Sequence, residues 1–217
     1  MHNCPPNTRF IRFCDALCRG WVLISVLVLV ALSMKFLDLP LAERLHSLEL
    51  PLSIPWLQPM TNLALSGAYL VLLAVMALSA QWVFHRAHLA SRMWFLWGCV
   101  ALPNAFCLVL KITLGRARPE LWFTEHLYGF YGPHRASLYW SFPSGHTSTI
   151  MGFVLGLSAL FPRHCIAFIG TGLLIASVRI LLVQHYLSDV VFATALSLMS
   201  VRWLLQWAPN YLEKRIG

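Results

Sequence analysis

Long apolar runs constrain the fold of this chain more than any other feature of its sequence. Hydrophobic residues make up 59% of it and charged residues 11%, and the mean hydropathy is +0.68. An ordinary soluble domain has about 45–50% apolar and about 25% charged residues, so this composition excludes that class. The sequence therefore predicts an integral membrane protein.

Six apolar stretches approach the length of roughly 20 residues that a helix needs to cross a bilayer. They lie at residues 20–37, 62–84, 93–112, 146–161, 165–183 and 187–207. Only Gln184 to Asp189 separates the last two stretches, but their combined length fits two helices better than one. We expect an all-α bundle of six transmembrane helices, forming a single membrane-embedded domain over residues 1–217 with an extracytoplasmic interfacial loop region.

The basic residues predict the orientation of the bundle. With a cytoplasmic N-terminus, the inner segments hold Arg9, Arg12, Arg19, Arg86, Arg92, Arg163, Lys214 and Arg215. The outer loops then hold mainly Arg44, Arg116, Arg118 and Arg135. This excess of inner positive charge favours both termini in the cytoplasm, with the first span retained as an anchor. The net charge of +8 thus reflects topology in part and requires no nucleic-acid partner.

One long connection, about residues 113–145, interrupts the otherwise short loops. Its aromatic residues are typical of a chain lying along the membrane interface. They are Trp122, Phe123, Tyr128, Phe130, Tyr131, Tyr139 and Trp140. A loop this long in a tight bundle is more often functional than idle.

Three polar groups stand where apolar stretches meet loops. They are Lys111 with Arg118 and Pro119; Pro143 to His146; and Arg179 with His185 and Asp189. Because successive spans alternate in direction, all of these residues fall at the same face of the membrane. The charge bias makes that face extracytoplasmic. Residues distant in sequence are thus expected to converge into one site.

Lys111 and Arg118 supply the first cations of this site. They are seven residues apart, so a helix continuing to Pro119 would place both on one face. A compact ammonium and a planar guanidinium both suit phosphate oxygens. Either residue alone could equally be a basic side chain reaching to the interface.

The segment from Pro143 to His146 predicts a helix start, with Ser144 as the N-cap. Free backbone N–H groups at that end, unobstructed at Gly145, form an anion site that the helix dipole reinforces. A phosphate there would have His146 beside it. The alternative is a plain capped helix whose histidine faces water.

His185 and Asp189 are spaced by one helical turn, which places them on one helix face. The carboxylate can then orient the imidazole and leave its other nitrogen free, as in catalytic triads. An ionisable pair at the edge of a span is a functional hypothesis, against the alternative of a structural pair.

These motifs together resemble the type 2 phosphatidic acid phosphatase (PAP2) superfamily of membrane lipid phosphatases and phosphotransferases. The residues from Lys111 to Pro119 match its first motif, and those from Pro143 to His146 its second. Arg179, His185 and Asp189 match the third. Val178 separates Ser177 from Arg179, where the family often has serine directly before arginine, so the resemblance carries a role to Arg179 and not to Ser177.

The resemblance implies a role for each matched residue. His185 would be the nucleophile that forms a phosphohistidine, Asp189 its orienter and His146 the general acid. The phosphoryl oxygens would be held by Lys111, Arg118, Ser144, the Gly145 amide and Arg179. No metal and no cofactor would be needed, since the cations supply the electrostatic stabilisation.

The position of the site at headgroup level predicts a phosphorylated membrane lipid as substrate. Phosphatidate, phosphatidylglycerol phosphate, polyprenyl diphosphate and lipid A all stay open, as does the oligomeric state. The leading interpretation is a lipid phosphatase of the bacterial inner membrane with a periplasmic site. A phosphotransferase with a lipid or sugar acceptor is the first alternative. An anionic-lipid transporter or binding protein is the second, but binding alone does not require the His185–Asp189 pair.

Overall fold

The computed structural model describes residues 6–49, 54, 56, 57, 59 and 66–207. Three parts of the predictions lie outside the described residues: the beginning of the second expected span, the side chain of Arg9, and the basic pair Lys214 and Arg215.

Nine α-helices form the described part of the chain. They are α1 (Pro6–Leu17), α2 (Gly20–Phe36), α3 (Asp38–His46), α4 (Ser66–Leu78), α5 (Ala87–Leu114), α6 (Pro119–Glu125), α7 (Gly145–Leu160), α8 (Cys165–Leu181) and α9 (Leu187–Trp207). A π-helical turn, Ser79–Val83, extends α4. The described residues form no β-strand, only one isolated bridge between Arg116 and Phe130. The predicted all-α class is confirmed.

Helices overlap all six predicted spans, but they differ in length. Four are long and apolar enough to cross a membrane: Ser66–Val83, Ala87–Leu114, Pro162–Leu181 and Leu187–Trp207. A fifth span results if Phe10–Leu17 and Gly20–Phe36, which meet at a bend of 59°, count as one. Helix α7 has only 16 residues and is shorter than each of these four spans. The structure supports four or five spans by length, and the sixth stays a prediction.

Helix α7 occupies the centre of the bundle, which explains why it can be short. It packs against α5, α8 and α9, and eleven of its residues are buried. Small residues allow this close approach. A Cβ on Gly152 would lie 2.2 Å from the carbonyl oxygen of Cys99, so only glycine lets α5 and α7 touch backbone to backbone at that point.

The end of α5 differs from the prediction. We expected a helix continuing to Pro119, which would align Lys111 with Arg118, but α5 ends at Leu114. Gly115 follows in the left-handed conformation with φ of 56°, and a Cβ there would lie 1.8 Å from the carbonyl oxygen of Gly132. The chain therefore leaves the helix axis, and Arg118 precedes α6 in extended conformation.

The long connection is also more ordered than a surface loop. It contains α6 and a 3₁₀ turn at Ser137–Tyr139, and it folds back on itself. The backbone N–H of Arg118 donates to the carbonyl of Leu138 at 2.9 Å, and that of Ser141 donates to the carbonyl of Arg116 at 3.0 Å. These hydrogen bonds join the beginning of the connection to its end.

Candidate active site

The predicted site residues converge at one end of the bundle, although they come from the ends of five helices, α5 to α9. The Cε atom of Lys111 lies 3.7 Å from the point that a Cβ on Gly145 would occupy. The backbone N–H of His185 donates to the carbonyl of Arg179 at 3.3 Å. Both His146 and His185 lie within electrostatic range of Lys111 and Arg179. The predicted convergence is present in the structure.

The start of α7 has the predicted cap. The Oγ atom of Ser144 accepts from the backbone N–H of Thr147 at 3.4 Å and from its hydroxyl at 3.0 Å. The backbone N–H of Ser144 donates to the carbonyl of Asp189 at 3.3 Å. The hydroxyl of Ser144 is therefore engaged in holding the helix start. The first N–H groups of α7, at Gly145 and His146, have no intrahelical acceptor and remain available to an anion.

His185 lies in the short connection between α8 and α9, not on a helix as its spacing to Asp189 predicts, because α9 begins only at Leu187. The two side chains are nevertheless neighbours, with Nδ1 of His185 3.4 Å from Oδ2 of Asp189. That separation is longer than a well-formed N–H···O bond. Nδ1 nevertheless faces the carboxylate, and Nε2, on the other side of the ring, is left for a substrate.

The surroundings of His185 favour the neutral form of its imidazole. Only 2% of the residue is exposed. Burial lowers the pKa of His185 to about 3, and the positive charges of Lys111 and Arg179 add to this effect, while Asp189 opposes it. A neutral imidazole carries the free electron pair that a nucleophile needs.

Asp189 is fixed in the first turn of α9 by donors from two segments. Its Oδ2 atom accepts from the backbone N–H of Tyr186 at 2.9 Å, as acidic side chains near helix starts often do. The same oxygen accepts from the hydroxyl of Ser141 at 2.6 Å. Ser141 lies two residues before the second motif and was not among the predicted site residues. The carboxylate is thereby oriented toward His185.

Three cations face this pair without a counter-ion. Within the described residues, Lys111, Arg118 and Arg179 form no salt bridge. The Nε atoms of both arginines are buried and lack a hydrogen-bond acceptor. Burial lowers the pKa of Arg118, but a guanidinium stays charged at physiological pH. Lys111 donates from Nζ to the carbonyl of Trp140 at 2.6 Å, so the unsatisfied donors are those of the two arginines. Buried donors of this kind are expected to bind an anion.

Sequence reasoning missed the buried cation Arg116 and its partner Asp38. We expected Arg116 only as an outer-loop charge, yet it is 1% exposed and binds two carboxylates. Its Nη1 lies 2.5 Å from Oδ1 of Asp189, and its Nη2 lies 2.7 Å from Oδ2 of Asp38. The sequence contained one sign of this pairing. Asp38 directly follows an apolar run, where a carboxylate is costly unless it has a partner.

The comparison with known proteins decides the family. The PAP2 superfamily matches residues 92–213, which is more than half of the chain. The chain belongs to the PAP2 superfamily. The resemblance read from the three motifs is thus confirmed, and every predicted site residue of this PAP2 protein lies inside the matched region. Asp38 lies outside it.

Two curated relatives are similar to this PAP2 protein over part of their length. A lipid A 1-phosphatase of Rhizobium johnstonii is 33% identical over 101 residues, which cover 46% of this chain and 41% of the relative. A lipid A 1-phosphatase of Rhizobium etli is 32% identical over 101 residues, covering 46% and 44%. The chain thus matches less than half of the length of these relatives. No solved structure shows significant similarity to it.

Proposed function

We propose that this protein is a membrane lipid phosphatase that hydrolyses a phosphomonoester or diphosphate through a phosphohistidine intermediate. The observation that carries the proposal is the buried His185, which has Asp189 on one side of its ring and the cations Lys111 and Arg179 within electrostatic range. Membership of the PAP2 superfamily and the similarity to two lipid A 1-phosphatases support it.

The first step forms the covalent intermediate. Nε2 of His185 attacks phosphorus, the bond from phosphorus to the lipid oxygen breaks, and that oxygen takes a proton from His146. The ring of His185 gains positive charge as the new P–N bond forms. Asp189 stabilises that charge and retains the proton on Nδ1, in the way that the acid of a triad does.

The second step releases phosphate. Water attacks phosphorus and gives a proton to His146, the P–N bond breaks, and neutral His185 is regenerated. In both steps negative charge builds on the phosphoryl oxygens. Lys111, Arg118 and Arg179, with the N–H groups at the start of α7, stabilise that charge from fixed positions. Ser144 contributes by holding the helix start in place.

The substrate is a phosphorylated lipid whose headgroup reaches the end of the bundle. The names of the two relatives make lipid A the first candidate, followed by phosphatidate, phosphatidylglycerol phosphate and polyprenyl diphosphate. We place the protein in a bacterial inner membrane with the site facing the periplasm. The support for this orientation is the distribution of basic residues.

Phosphate release from purified protein tests the proposal. The protein is incubated with each of the four lipid classes, and inorganic phosphate is measured for the wild type, His185→Ala and His164→Ala. His164 is an exposed histidine near the opposite end of α7, which makes it a matched control. We expect His185→Ala to abolish release and His164→Ala to retain it. Equal release by a folded His185→Ala protein would exclude the mechanism, and release only with an added lipid or sugar acceptor would indicate a phosphotransferase.

A further inference from the structure

Asp38 is a fully buried carboxylate at the beginning of α3, with 1% of the residue exposed. Its Oδ1 atom accepts from the hydroxyl of Ser33 at 2.9 Å and from the backbone N–H of Ser188 at 3.1 Å. Its Oδ2 atom accepts from the hydroxyl of Ser188 and from Nη2 of Arg116 at 2.7 Å. Burying a charge in this way is costly and is usually linked to function in a membrane protein.

Arg116 connects this carboxylate to the one beside His185. The guanidinium is a rigid planar fork, so its orientation is set by the two carboxylates it binds, Asp38 at Nη2 and Asp189 at Nη1. The ring of Tyr186 lies 4.6 Å from its central carbon, and the hydroxyl of Tyr128 accepts from Nη2 at 3.1 Å. Arg116 consequently has little freedom to reorient while Asp38 holds it.

The shared guanidinium has two consequences for the nucleophile. First, Arg116 binds only Oδ1 of Asp189, which leaves Oδ2 directed at His185. Second, one cation between two carboxylates leaves the trio with a single net negative charge. That charge is available when the ring of His185 becomes positive during phosphoryl transfer. Without Asp38, Arg116 would be free to bind both oxygens of Asp189 as a bidentate pair and to neutralise it.

We propose that Asp38 is a positioning residue for the histidine nucleophile, acting through Arg116 and Asp189. This inference rests on the proposed phosphatase function and extends it beyond the region that the family matches, which begins at residue 92. The segment comprising α2 and α3 then contributes to the catalytic centre as well as to the bundle.

Steady-state kinetics of the full-length protein test this role. Asp38→Asn keeps the shape and removes the charge, and Glu43→Gln makes the same change at an exposed carboxylate of α3 that accepts from Trp122 at 3.2 Å. We expect Asp38→Asn to lower kcat by about 10- to 100-fold, the range found when a metal-binding histidine loses its outer hydrogen-bond partner. KM should stay within about threefold, because the phosphate-binding cations are untouched. Glu43→Gln should match the wild type.

A double-mutant cycle separates positioning from a merely structural contribution. If Asp38 acts through Asp189, then Asp38→Asn combined with Asp189→Asn should lose no more kcat than Asp189→Asn alone. Independent losses that multiply would overturn the inference, as would a kcat of Asp38→Asn equal to that of Glu43→Gln. If Asp38→Asn does not fold, Asp38→Glu replaces it in the same cycle, since it keeps the charge and displaces the carboxylate by one methylene.

The outcomes also distinguish this inference from the proposed function. A wild type that releases no phosphate, or an active His185→Ala, contradicts the function itself and the inference with it. A wild type that requires His185 but tolerates Asp38→Asn contradicts the inference alone. Inorganic phosphate should raise the unfolding temperature of Asp38→Asn as much as that of the wild type, because the cations that bind it remain.

Discussion

A histidine that attacks phosphorus must be neutral beforehand and must carry positive charge afterwards. The environment of His185 meets both requirements, because burial keeps the ring neutral while Asp189 lies 3.4 Å from Nδ1. His146 is less deeply buried than His185. It is half-buried at the first turn of α7, where a leaving oxygen bound between the cations could reach it. Both histidines lie among the cations Lys111 and Arg179, so the acid role proposed for His146 depends on the negative charge of a bound phosphate to favour its protonated form.

The role of His146 as general acid can be tested with the leaving group. An aryl phosphate such as p-nitrophenyl phosphate has a weakly basic leaving oxygen that needs little protonation. We therefore expect His146→Ala to lose roughly 10²- to 10⁴-fold in kcat on a lipid phosphomonoester and far less on the aryl phosphate. The measurement compares kcat for both substrates in the wild type and the variant.

Equal losses on the two substrates would mean that His146 positions the phosphate and does not protonate the leaving oxygen. His126→Ala is a suitable control, because His126 lies exposed at the end of α6. It should behave as the wild type on both substrates.

At the scale of elements, the site depends on the central position of α7. Its N-terminus provides the amides that we propose to bind an anion, and glycines on α7 and on α8 let α5 and α8 approach it at close range. A Cβ on Gly172 of α8, for example, would lie 2.7 Å from a methyl group of Val154. Close packing of this kind fixes the distance between Lys111, on α5, and the start of α7. The geometry of the proposed anion site therefore depends on close helix contacts nearer the middle of the bundle.

Two mid-helix glycines should respond to alanine in opposite directions. At Gly152 the new Cβ would lie 2.2 Å from a backbone oxygen, whereas at Gly170 of α8 nothing lies within 4 Å. We expect Gly152→Ala to destabilise the fold by about 1–3 kcal/mol, as overpacking does. Gly170→Ala should be neutral or stabilising by up to about 1 kcal/mol, because alanine favours helix. Unfolding temperatures in detergent check both values, and a Gly152→Ala protein as stable as Gly170→Ala would contradict this account of the interface.

At the scale of the whole molecule, the arrangement of helices places all the site residues at one end of the bundle. The 3₁₀ turn Pro162–His164 connects the other ends of α7 and α8. With its proposed catalytic groups at one end, the bundle would act on only one leaflet at a time. The orientation of the protein in the membrane decides which leaflet the site faces. The distribution of basic residues favours the periplasmic leaflet.

Cysteine labelling tests this orientation. Single cysteines are placed at His134, in the connection between α5 and α7, and at Arg163, in the opposite turn, after the six native cysteines have been replaced. A membrane-impermeant thiol reagent applied to intact spheroplasts should label position 134 and not position 163. Phosphate release by each variant, where the wild type is active, serves as a control for folding. Labelling of position 163 alone would place the site in the cytoplasm and direct the substrate search to the inner leaflet.

Local patterns were sufficient for much of this protein. The length of the apolar runs predicts helices at the right places, because a helix in a membrane needs a continuous apolar stretch. The cap at Ser144 is also a local property, since the serine and the N–H group it accepts from are three residues apart. The set of motif residues identifies the family without any structure.

Tertiary packing decided the rest. Helix α5 ends at Leu114 with Gly115 as a left-handed C-cap, which is a local signal, but the close passage of the Gly132 carbonyl at Gly115 is a contact without one. The short α7 is possible because its neighbours, and not lipid, cover most of it. Arg116 and Asp38 are 78 residues apart, and their pairing is seen only once α3 packs beside the start of α9. A buried ion pair is specified by the position of both partners in space, and a sequence pattern records only each residue's immediate neighbours.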